Sequence, residues 1–441
     1  MSTIRKQSTA GELLHFSLPL ILGGILQQLY SWVDAFIVGH AEGDLQLGAI
    51  GATNVVTSLF IHMILGFTLG LSILAAQEFG RGNREKIRRI LHTFLPLMGL
   101  LCTLLAGVSI VAAKAFLHLL ATPDEIFGYS LSYLRIALLG MPLLAVYNTY
   151  AAVLRAMGNT KVAFYAILIS AAFNFVLDML LVVALPYGVA GAAAATVIAQ
   201  MTMALFIVFY TRRKYPDLVR SSGFDRAAFS EGLSFGLPPM VQNSITSLGT
   251  LVLQNFMNGF GAVTVLAITT AYRVDTMLLL PVFNLAAAIS NLIARSKGAG
   301  EGEKITKYLK SGLALMLVVT LVLTLLVYLL GAEFIAIFGV GGEAVLIGRQ
   351  FFRDLAIFYA LFGTAQALRG ALEGIGDITY CSAIGILTLG LRILFSYLLK
   401  AGMDQRAIAF AEGYSWICML LLFVLRVAQK RREFGLGQTK E

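Results

Sequence analysis

Long, uninterrupted apolar runs constrain this chain more than any other feature of its sequence. Twelve such runs follow one another with short polar breaks between them. They cover approximately 14–38, 48–76, 91–113, 127–151, 160–185, 188–210, 233–258, 262–294, 308–331, 349–371, 379–400 and 404–426. A transmembrane helix needs about 20 mostly apolar residues, whereas barrel strands would be short and strictly alternating. The runs therefore predict an all-α integral membrane protein with twelve transmembrane helices.

The composition supports this class and argues against metal or disulfide chemistry. Charged residues make up only 13% of the chain, against about 25% in an ordinary globular domain. The first apolar run is longer than the apolar core of a signal peptide and carries Asp34, so we expect no cleavable signal peptide. Cys102, Cys381 and Cys418 all lie in apolar runs without metal-like spacing, which predicts small buried side chains. The five histidines are scattered and form no cluster.

The net charge of +9 is explained by membrane topology. Most lysines and arginines fall in loops on one side of the predicted membrane, for example around 81–89, 212–226 and 295–310. The positive-inside rule then predicts a multi-pass protein of a prokaryotic inner (plasma) membrane with both termini in the cytoplasm. No nucleic-acid partner is needed to account for the basic balance.

The chain also contains a tandem repeat. The stretch GRGNREKIRRI at 80–90 matches GAGEGEKITKY at 298–308, an offset of 218 positions, and ELLHFSLP at 12–19 matches EGLSFGLP at 231–238. We therefore predict two pseudo-symmetric six-helix halves, 1–210 and 232–426, joined by a cytoplasmic linker at 211–231 and followed by a cytoplasmic tail at 427–441. Parallel repeats of this kind are typical of transporters in which one half rocks against the other.

Two aspartates stand out within the apolar runs of the first half. Asp34 lies in the first run, and Asp178 lies in the fifth, four residues after Asn174 on the same helix face. An ionisable residue inside a membrane costs roughly 2.5–3.5 kcal/mol on insertion scales and is a functional candidate by default. Two carboxylates in one dry cavity would repel each other and favour proton uptake; alternatively, carboxylate and amide oxygens suit a hard cation such as Na⁺. A structural alternative is that each aspartate pairs with helix-end or polar groups.

Several motifs, taken together, resemble the MATE (multidrug and toxic compound extrusion) family of exporters. FSLPLILGGILQQLYSWVDAFIVGH resembles the first span of that family, AAQEFGRGNREKI and LIARSKGAGEGEKI its loops after spans two and eight, and LRAMGNTK and LRGALEGIGD its loops after spans four and ten. The resemblance covers essentially the whole chain in register. It implies the V-shaped MATE fold and alternating access.

The resemblance also implies an ion site in the first half. The DinF-like branch of the family has a cation site made from an aspartate in span one, an N-x-x-x-D pair in span five, an asparagine in span four and a threonine in span six. The matching residues here are Asp34, Asn174 with Asp178, Asn148 and Thr196. The coupling ion implied is H⁺, Na⁺ or both, with Na⁺ at Asp34, Asn174 and Asp178, and no other cofactor.

The second half does not repeat these residues. At the repeat offset, the five positions correspond to Val252, Gln366, Arg392, Ser396 and Tyr414. The NorM-like branch instead uses acids in spans seven and ten. Span seven has no acid here, and span ten has only Asp354, next to Arg353, where an ion pair is expected. The pattern favours the DinF-like branch.

Other residues are candidates for substrate contact or for helix bending. The candidates for the substrate cavity are Tyr30, Trp32, Tyr147, Arg273 and Asp275. The three aromatic residues flank the ion site and could stack on an organic cation, although packing and lipid contact are alternative roles. Arg273 and Asp275 lie two apart and so point to different faces of one helix. Pro19 and Pro238 each remove a backbone donor, so we expect each to bend its helix.

These observations favour a secondary active antiporter over two other classes. It would export organic compounds, cationic or amphipathic, in exchange for H⁺ or Na⁺, as a monomer in the lipid bilayer. A flippase of lipid-linked substrates from the same superfamily is the alternative, but such proteins often have fourteen spans and a strongly basic cavity. An intramembrane enzyme is disfavoured because no catalytic set is present, and no Walker motif indicates that ATP drives the process.

Overall fold

The computed structural model describes residues 8–185, 187–220 and 222–435. Helix is the only regular secondary structure in these ranges, so the predicted all-α fold is confirmed. The helices are α1 Thr9–Glu42, α2 Asp44–Gly80, α3 Arg84–Leu119, α4 Asp124–Leu139, α5 Met141–Ala156, α6 Thr160–Asp178, α7 Gly188–Lys214, α8 Pro216–Val219, α9 Arg226–Asn258, α10 Ala262–Leu278, α11 Leu280–Gly298, α12 Gly302–Ala336, α13 Glu343–Ala356, α14 Tyr359–Gly374, α15 Ile378–Met403 and α16 Ala407–Gln429.

The helices account for the predicted number of membrane crossings. In the described ranges, nine helical segments are long and apolar enough to cross a membrane, and the bent pair α13 and α14 is a tenth. One of the nine, Ile378–Gln429, contains both α15 and α16, which pack against each other around a 3₁₀ turn at Asp404–Arg406. Helix α9 has 33 residues but a more polar sequence. The nine segments, the bent pair, the second helix within Ile378–Gln429 and helix α9 are together consistent with twelve spans.

Three apolar runs that look continuous in the sequence are each divided into two helices. The run at 127–151 breaks at Gly140, the run at 262–294 breaks at Leu279, and the run at 349–371 breaks after Ala356 with a bend of 53°. In the first two cases a proline, Pro142 or Pro281, lies in the first turn of the second helix. Proline has no N–H to give to the preceding turn, so it fits the start of a new helix better than the interior of an old one.

The repeated loops end their helices in the same way. After α2, Gly82 has φ 74°, and after α11 its repeat partner Gly300 has φ 73°. Residues with a side chain adopt this left-handed conformation at a cost, which explains why glycine occupies both positions. In the first of these loops, Asn83 then caps α3 by accepting a hydrogen bond from the Lys86 N–H at 3.1 Å.

Packing divides the chain into two compact units. One unit is Leu22–Ser244, and the other consists of the described residues before and after it. The first part of α1 therefore packs with the second-half helices: Leu13 and Phe16 share an apolar core with Ile289 and Tyr308. Conversely, the first part of α9 packs within the unit Leu22–Ser244, which is called the first unit below. The division at 1–210, 211–231, 232–426 and 427–441 follows the sequence repeat and remains a prediction about domain organisation.

The first part of α9 is held against α2 by unusually close backbone contact. Gly66 and Gly70 of α2 are spaced four apart, and a Cβ atom on them would lie 2.6 Å from the Pro239 carbonyl oxygen and 2.0 Å from the Phe235 carbonyl oxygen. Small residues at this spacing allow membrane helices to approach closely. Pro19 and Pro238 both lie inside helices that continue on either side of them, and whether they bend α1 and α9 remains a prediction.

Candidate functional site

The two intramembrane aspartates of the first half lie together in the unit Leu22–Ser244. Asp34 projects from α1, and Asp178 is the last residue of α6; their side chains are 7% and 0% exposed. The two carboxyl groups lie close enough to interact with each other directly. The hydroxyls of Tyr30 and Tyr133 lie near enough to both carboxyl groups to interact with them electrostatically. The site is therefore a buried acidic pair flanked by phenols.

Within the part of the chain that the structure describes, the acidic pair has no cationic partner that would neutralise it. Both oxygens of Asp178 and Oδ1 of Asp34 are buried without a hydrogen-bond donor, and no lysine or arginine in the described ranges forms an ion pair with either residue. Nearly all buried polar groups in proteins are hydrogen-bonded, so such exceptions call for an explanation. Two desolvated carboxylates also repel strongly. Among the described residues, nothing offsets the charge that this pair would carry if both carboxyl groups were ionised.

A distortion of α6 places Asp178 at the end of the regular helix. The six residues Met179–Ala184 form a π-helical turn, in which the Leu185 N–H donates to the Leu180 carbonyl at 2.8 Å. Wider turns of this kind often occur at functional sites because they redirect side chains. Here the wider turn begins directly after Asp178.

Asn174 and Thr196 supply further polar groups to the same region. Asn174 precedes Asp178 by one turn of α6 and is 1% exposed, and its Nδ2 has no acceptor. Thr196 projects from α7 beside Tyr30, and its Oγ1 is buried without an aligned hydrogen bond. The structure thus brings Thr196, Tyr30 and the two aspartates together, with Asn174 on the same face of α6 as Asp178.

Asn148 has a different environment from the other residues of the predicted set. It is buried in α5, and its Nδ2 donates to the carbonyl of Leu144 on its own helix at 2.9 Å. This bond satisfies one amide N–H within the helix. The place of Asn148 in the ion site therefore remains a prediction.

Of the predicted aromatic residues, Tyr30 lies beside the acidic pair. Trp32 is partly buried on α1. Tyr147 belongs to the apolar core of the unit, and its hydroxyl donates to the Ala163 carbonyl at 3.3 Å. Tyr133 is a neighbour of the aspartates that the sequence did not single out, because one tyrosine in an apolar run carries no distinguishing signal.

The other unit contains a buried polar network of a different kind. Arg392 of α15 forms an ion pair with Glu412 of α16 at 2.9 Å, and the Tyr272 hydroxyl lies 3.0 Å from Glu412 Oε2 and 2.6 Å from Arg392 Nη2. Asp275 is 5% exposed and accepts a hydrogen bond from the Tyr359 hydroxyl. Arg392 is the repeat equivalent of Asn174, so a fixed guanidinium occupies the position that holds a neutral amide in the first half.

Two further predictions about charged residues can be compared with the structure. Arg273 is exposed whereas Asp275 is buried, so they occupy different faces of α10 as their spacing indicated. The expected pair between neighbours Arg353 and Asp354 is wrong. Asp354 instead accepts two hydrogen bonds from Arg406, both at 2.8 Å, and Arg353 lies over the Tyr328 ring. Adjacent helix residues diverge by about 100°, so a residue on another segment pairs more easily.

Comparison with known proteins identifies the family. The family model described as MatE matches residues 19–180 and again residues 238–398, once in each half of the sequence. The chain belongs to the MatE family. The two matches together cover most of the chain. The first includes Asp34, Asn174 and Asp178, and the second includes Arg392, the repeat counterpart of Asn174.

Curated relatives match this MatE protein along most of their length. A probable multidrug resistance protein, YoeA of Bacillus subtilis, is 26% identical over 87% of this chain and 86% of its own length. The probable multidrug resistance protein NorM of Thermotoga maritima is 24% identical over 83% of this chain and 80% of its own. The multidrug export protein MepA of Staphylococcus saprophyticus is 22% identical over 87% and 85%, respectively.

Solved structures show the same fold. An outward-facing multidrug resistance MATE family transporter of the MOP superfamily superposes with a TM-score of 0.89 at 21% identity, covering 98% of both chains. A MOP superfamily transporter from Pyrococcus furiosus has the same TM-score at 20% identity and the same coverage, and the reversed polarity of its binding pocket suggests a different function for that protein. The MATE fold is thereby confirmed.

Proposed function

We propose that this MatE protein is a secondary active antiporter that exports organic compounds, cationic or amphipathic, in exchange for H⁺ or Na⁺. The observation that carries the proposal is the buried pair Asp34 and Asp178, in which three of the four carboxyl oxygens have no donor and neither residue has a counter-cation among the described residues. When a site binds a cation or proton from solution and releases it again, the free energy of the conformation that holds the site changes. Such a site can use an ion gradient to favour one access state over the other, because the ion binds one state better.

The relatives support the choice of cargo. Three proteins that match most of this chain are named as multidrug resistance or multidrug export proteins. We infer by analogy that the cargo is a set of small organic molecules that enter from the bilayer or the cytoplasm. The flippase alternative is not favoured, because none of these relatives is named as one and the acidic pair is the opposite of a strongly basic cavity.

The remaining parts of the proposal concern placement and mechanism. The protein would act as a monomer in a prokaryotic inner membrane with both termini in the cytoplasm, as the charge pattern of the loops predicts. Asp34, Asn174, Asp178 and Thr196 would hold the coupling ion, with Asn148 as the fifth member implied by the family resemblance. Tyr30, Trp32, Tyr147, Arg273 and Asp275 remain candidates for contact with the cargo. No ATP and no resident cofactor take part.

The first test is ion-driven transport by purified full-length protein in proteoliposomes. We expect imposed H⁺ or Na⁺ gradients to drive uptake of a fluorescent organic cation, and Asp34→Asn and Asp178→Asn each to abolish it. Each substitution removes a charge that the ion must neutralise while it preserves the shape of the side chain.

The matched control is Asp354→Asn, which changes a buried aspartate that is already paired with Arg406. We expect this variant to keep gradient-driven uptake even if it is less stable. Undiminished uptake in Asp34→Asn or Asp178→Asn, with wild-type amounts of protein in the vesicles, would contradict the proposed coupling site.

A further inference from the structure

An apolar cavity lies between α2, α3 and the first part of α9, inside the first unit. Its volume is about 220 Å³, and its walls include Phe67 of α2, Met98 of α3 and Met240 of α9. The described residues that line it contribute no polar surface. Apolar cavities of about 150 Å³ already exclude water and can bind small apolar molecules. This cavity is therefore suited to an apolar ligand.

The cavity is open to the apolar surface of the unit. Leu101 of α3 and Leu237 of α9 line it and are themselves 42% and 39% exposed. On α3 the exposed surface continues beyond the cavity through Leu104 and Val108. Apolar side chains exposed on a membrane-spanning helix face lipid tails, which are as apolar as leucine. A lipid tail can therefore enter the cavity directly from the bilayer.

The length of the cavity matches one leaflet of the membrane. The lining residues on α9 extend from Phe229 to Met240. At 1.5 Å per residue, this part of the helix is about 16 Å long. The hydrocarbon core of a bilayer is about 30 Å thick, so one leaflet contributes about 15 Å. The α9 side of the cavity thus has the length of one acyl chain.

A basic residue extends the α9 side of the cavity at its beginning. The cavity-lining positions of α9 and the residue one turn before them follow the spacing of a single helix face. In order they are Arg226, Phe229, Leu233, Leu237 and Met240. Arg226 is exposed and forms no ion pair with any residue in the described ranges. Its neighbour Asp225 is already paired with Arg89 of α3 at 3.1 Å, which leaves the guanidinium of Arg226 available to another anion.

We propose that this cavity binds one acyl chain of an anionic phospholipid from the cytoplasmic leaflet and that Arg226 binds the phosphate of that lipid. In the topology proposed above, the beginning of α9 is cytoplasmic, and the cytoplasmic leaflet carries the anionic lipids. The guanidinium group pairs well with phosphate, while the apolar walls accept the chain. A lipid bound here contacts α2, α3 and α9 together and so stabilises the first unit. This site is separate from the acidic pair and does not depend on antiport.

The test is the thermal unfolding of purified full-length protein in a neutral detergent with added dioleoyl phosphatidylglycerol, compared with phosphatidylcholine of the same chains. A ligand that binds only the folded state raises the unfolding midpoint, so we expect phosphatidylglycerol to raise the Tm at lower concentration than phosphatidylcholine. Arg226→Gln should raise the phosphatidylglycerol concentration needed for half the shift by about fivefold and leave the response to phosphatidylcholine unchanged. Cys102→Phe places a ring in the cavity and should abolish the response to both lipids.

Two matched variants separate these effects from general changes of charge or bulk. Lys310→Gln removes an exposed cation in the other unit, and Val108→Phe adds a ring on α3 at an exposed position outside the cavity. Both should keep the wild-type response to each lipid. An unchanged phosphatidylglycerol response in Arg226→Gln, or an unchanged response in a folded Cys102→Phe protein, would overturn the proposal.

A second measurement remains decisive if Cys102→Phe does not fold. Phosphatidylglycerol with a diazirine group in its acyl chain is photocrosslinked to the wild-type protein, and the labelled peptides are identified by mass spectrometry. We expect label on the cavity walls at 97–105 of α3 and 229–240 of α9. Label found only elsewhere would refute the lipid site. Loss of the label on adding a fluorescent organic cation would also refute it, because the cavity would then be a cargo site.

Discussion

Substituting a glycine where α2 contacts the first part of α9 is the most direct test of the packing in the first unit. At Gly70, the missing Cβ atom would lie 2.0 Å from the Phe235 carbonyl oxygen and 2.4 Å from its carbonyl carbon. Ordinary contact begins near 3.4 Å, so a methyl group can be accommodated only if the two backbones separate by more than an ångström. Neither neighbouring atom can rotate away, because both belong to the main chain.

We expect Gly70→Ala to destabilise the protein by about 1–3 kcal/mol, the usual cost of overpacking a close-packed interior. Alanine is favoured over glycine inside a helix by up to about 1 kcal/mol, which offsets part of this cost. At Gly232 the Cβ atom would instead meet the Phe94 ring at 2.1 Å. A ring can shift, so Gly232→Ala should cost less than Gly70→Ala.

The assay is the thermal unfolding midpoint of each purified variant in the same detergent, followed by tryptophan fluorescence or by a thiol-reactive dye. Gly99→Ala in α3 is the matched control, because nothing lies within 4 Å of its Cβ position, and it should be neutral or stabilising. The expected order of midpoints is Gly99→Ala, then Gly232→Ala, then Gly70→Ala. If Gly70→Ala unfolds at or above the temperature of Gly99→Ala, the proposed close approach of the two helices is wrong.

Two further predictions concern charged groups away from the acidic site. Arg392→Met should destabilise the protein by about 3–5 kcal/mol because it leaves Glu412 buried without its cation, and the double variant with Glu412→Gln should recover much of that loss in the same unfolding assay. Asp225 caps α9 by accepting hydrogen bonds from the N–H groups of Ala227 and Ala228 at 2.8 and 3.0 Å. The Ala228 N–H in particular lowers the pKa of Asp225, with Arg89 adding to the effect, so the cap is fully present above the ordinary aspartate value of about 3.9 and is lost as the pH falls through the lower folded value. Asp225→Ala should lower the free energy of unfolding by about 1 kcal/mol at neutral pH and by nothing once the wild-type Asp225 is protonated. Unfolding midpoints of wild type and variant, measured across the acid range, should therefore converge as the pH falls. Equal midpoints at neutral pH would mean that the cap contributes nothing.

The broad architecture was predictable because it depends on patterns that extend over many residues. Apolar runs long enough to cross a membrane define helices whatever their exact packing, and the offset of 218 positions reveals the duplication. The breaks at Gly140 and Leu279 were not predicted, because a proline in an apolar run is compatible with both a bend and a new helix. The π-helical turn after Asp178 leaves no signal in MLLVVA, which reads as ordinary helix or strand.

The candidate site was predictable only to the extent that its residues are anomalous in a membrane. Asp34, Asn174 and Asp178 stand out against apolar neighbours, and the structure places the two aspartates together. The environment of Asn148 could not be foreseen, since a buried asparagine can bond to its own helix as well as to a ligand. The same applies to Asp354, whose partner Arg406 is 52 residues away. Long-range pairs depend on how helices pack, and a single sequence does not contain that information.

The two halves of the repeat differ most clearly in where their positive charge comes from. In the first unit, two buried carboxyl groups face each other, and the described part of the chain provides no cation for them. In the other unit, position 392, the counterpart of Asn174, carries a guanidinium that is bound to Glu412 and Tyr272. The charge of Arg392 is covalently part of the chain, so the charge state of the Arg392–Glu412 pair does not depend on the ion concentration in solution. A site that takes its positive charge from solution does depend on that concentration. In the antiport proposed above, this exchange of an amide for an arginine, together with the changes at the other four repeated positions, would make one half ion-dependent and the other ion-independent.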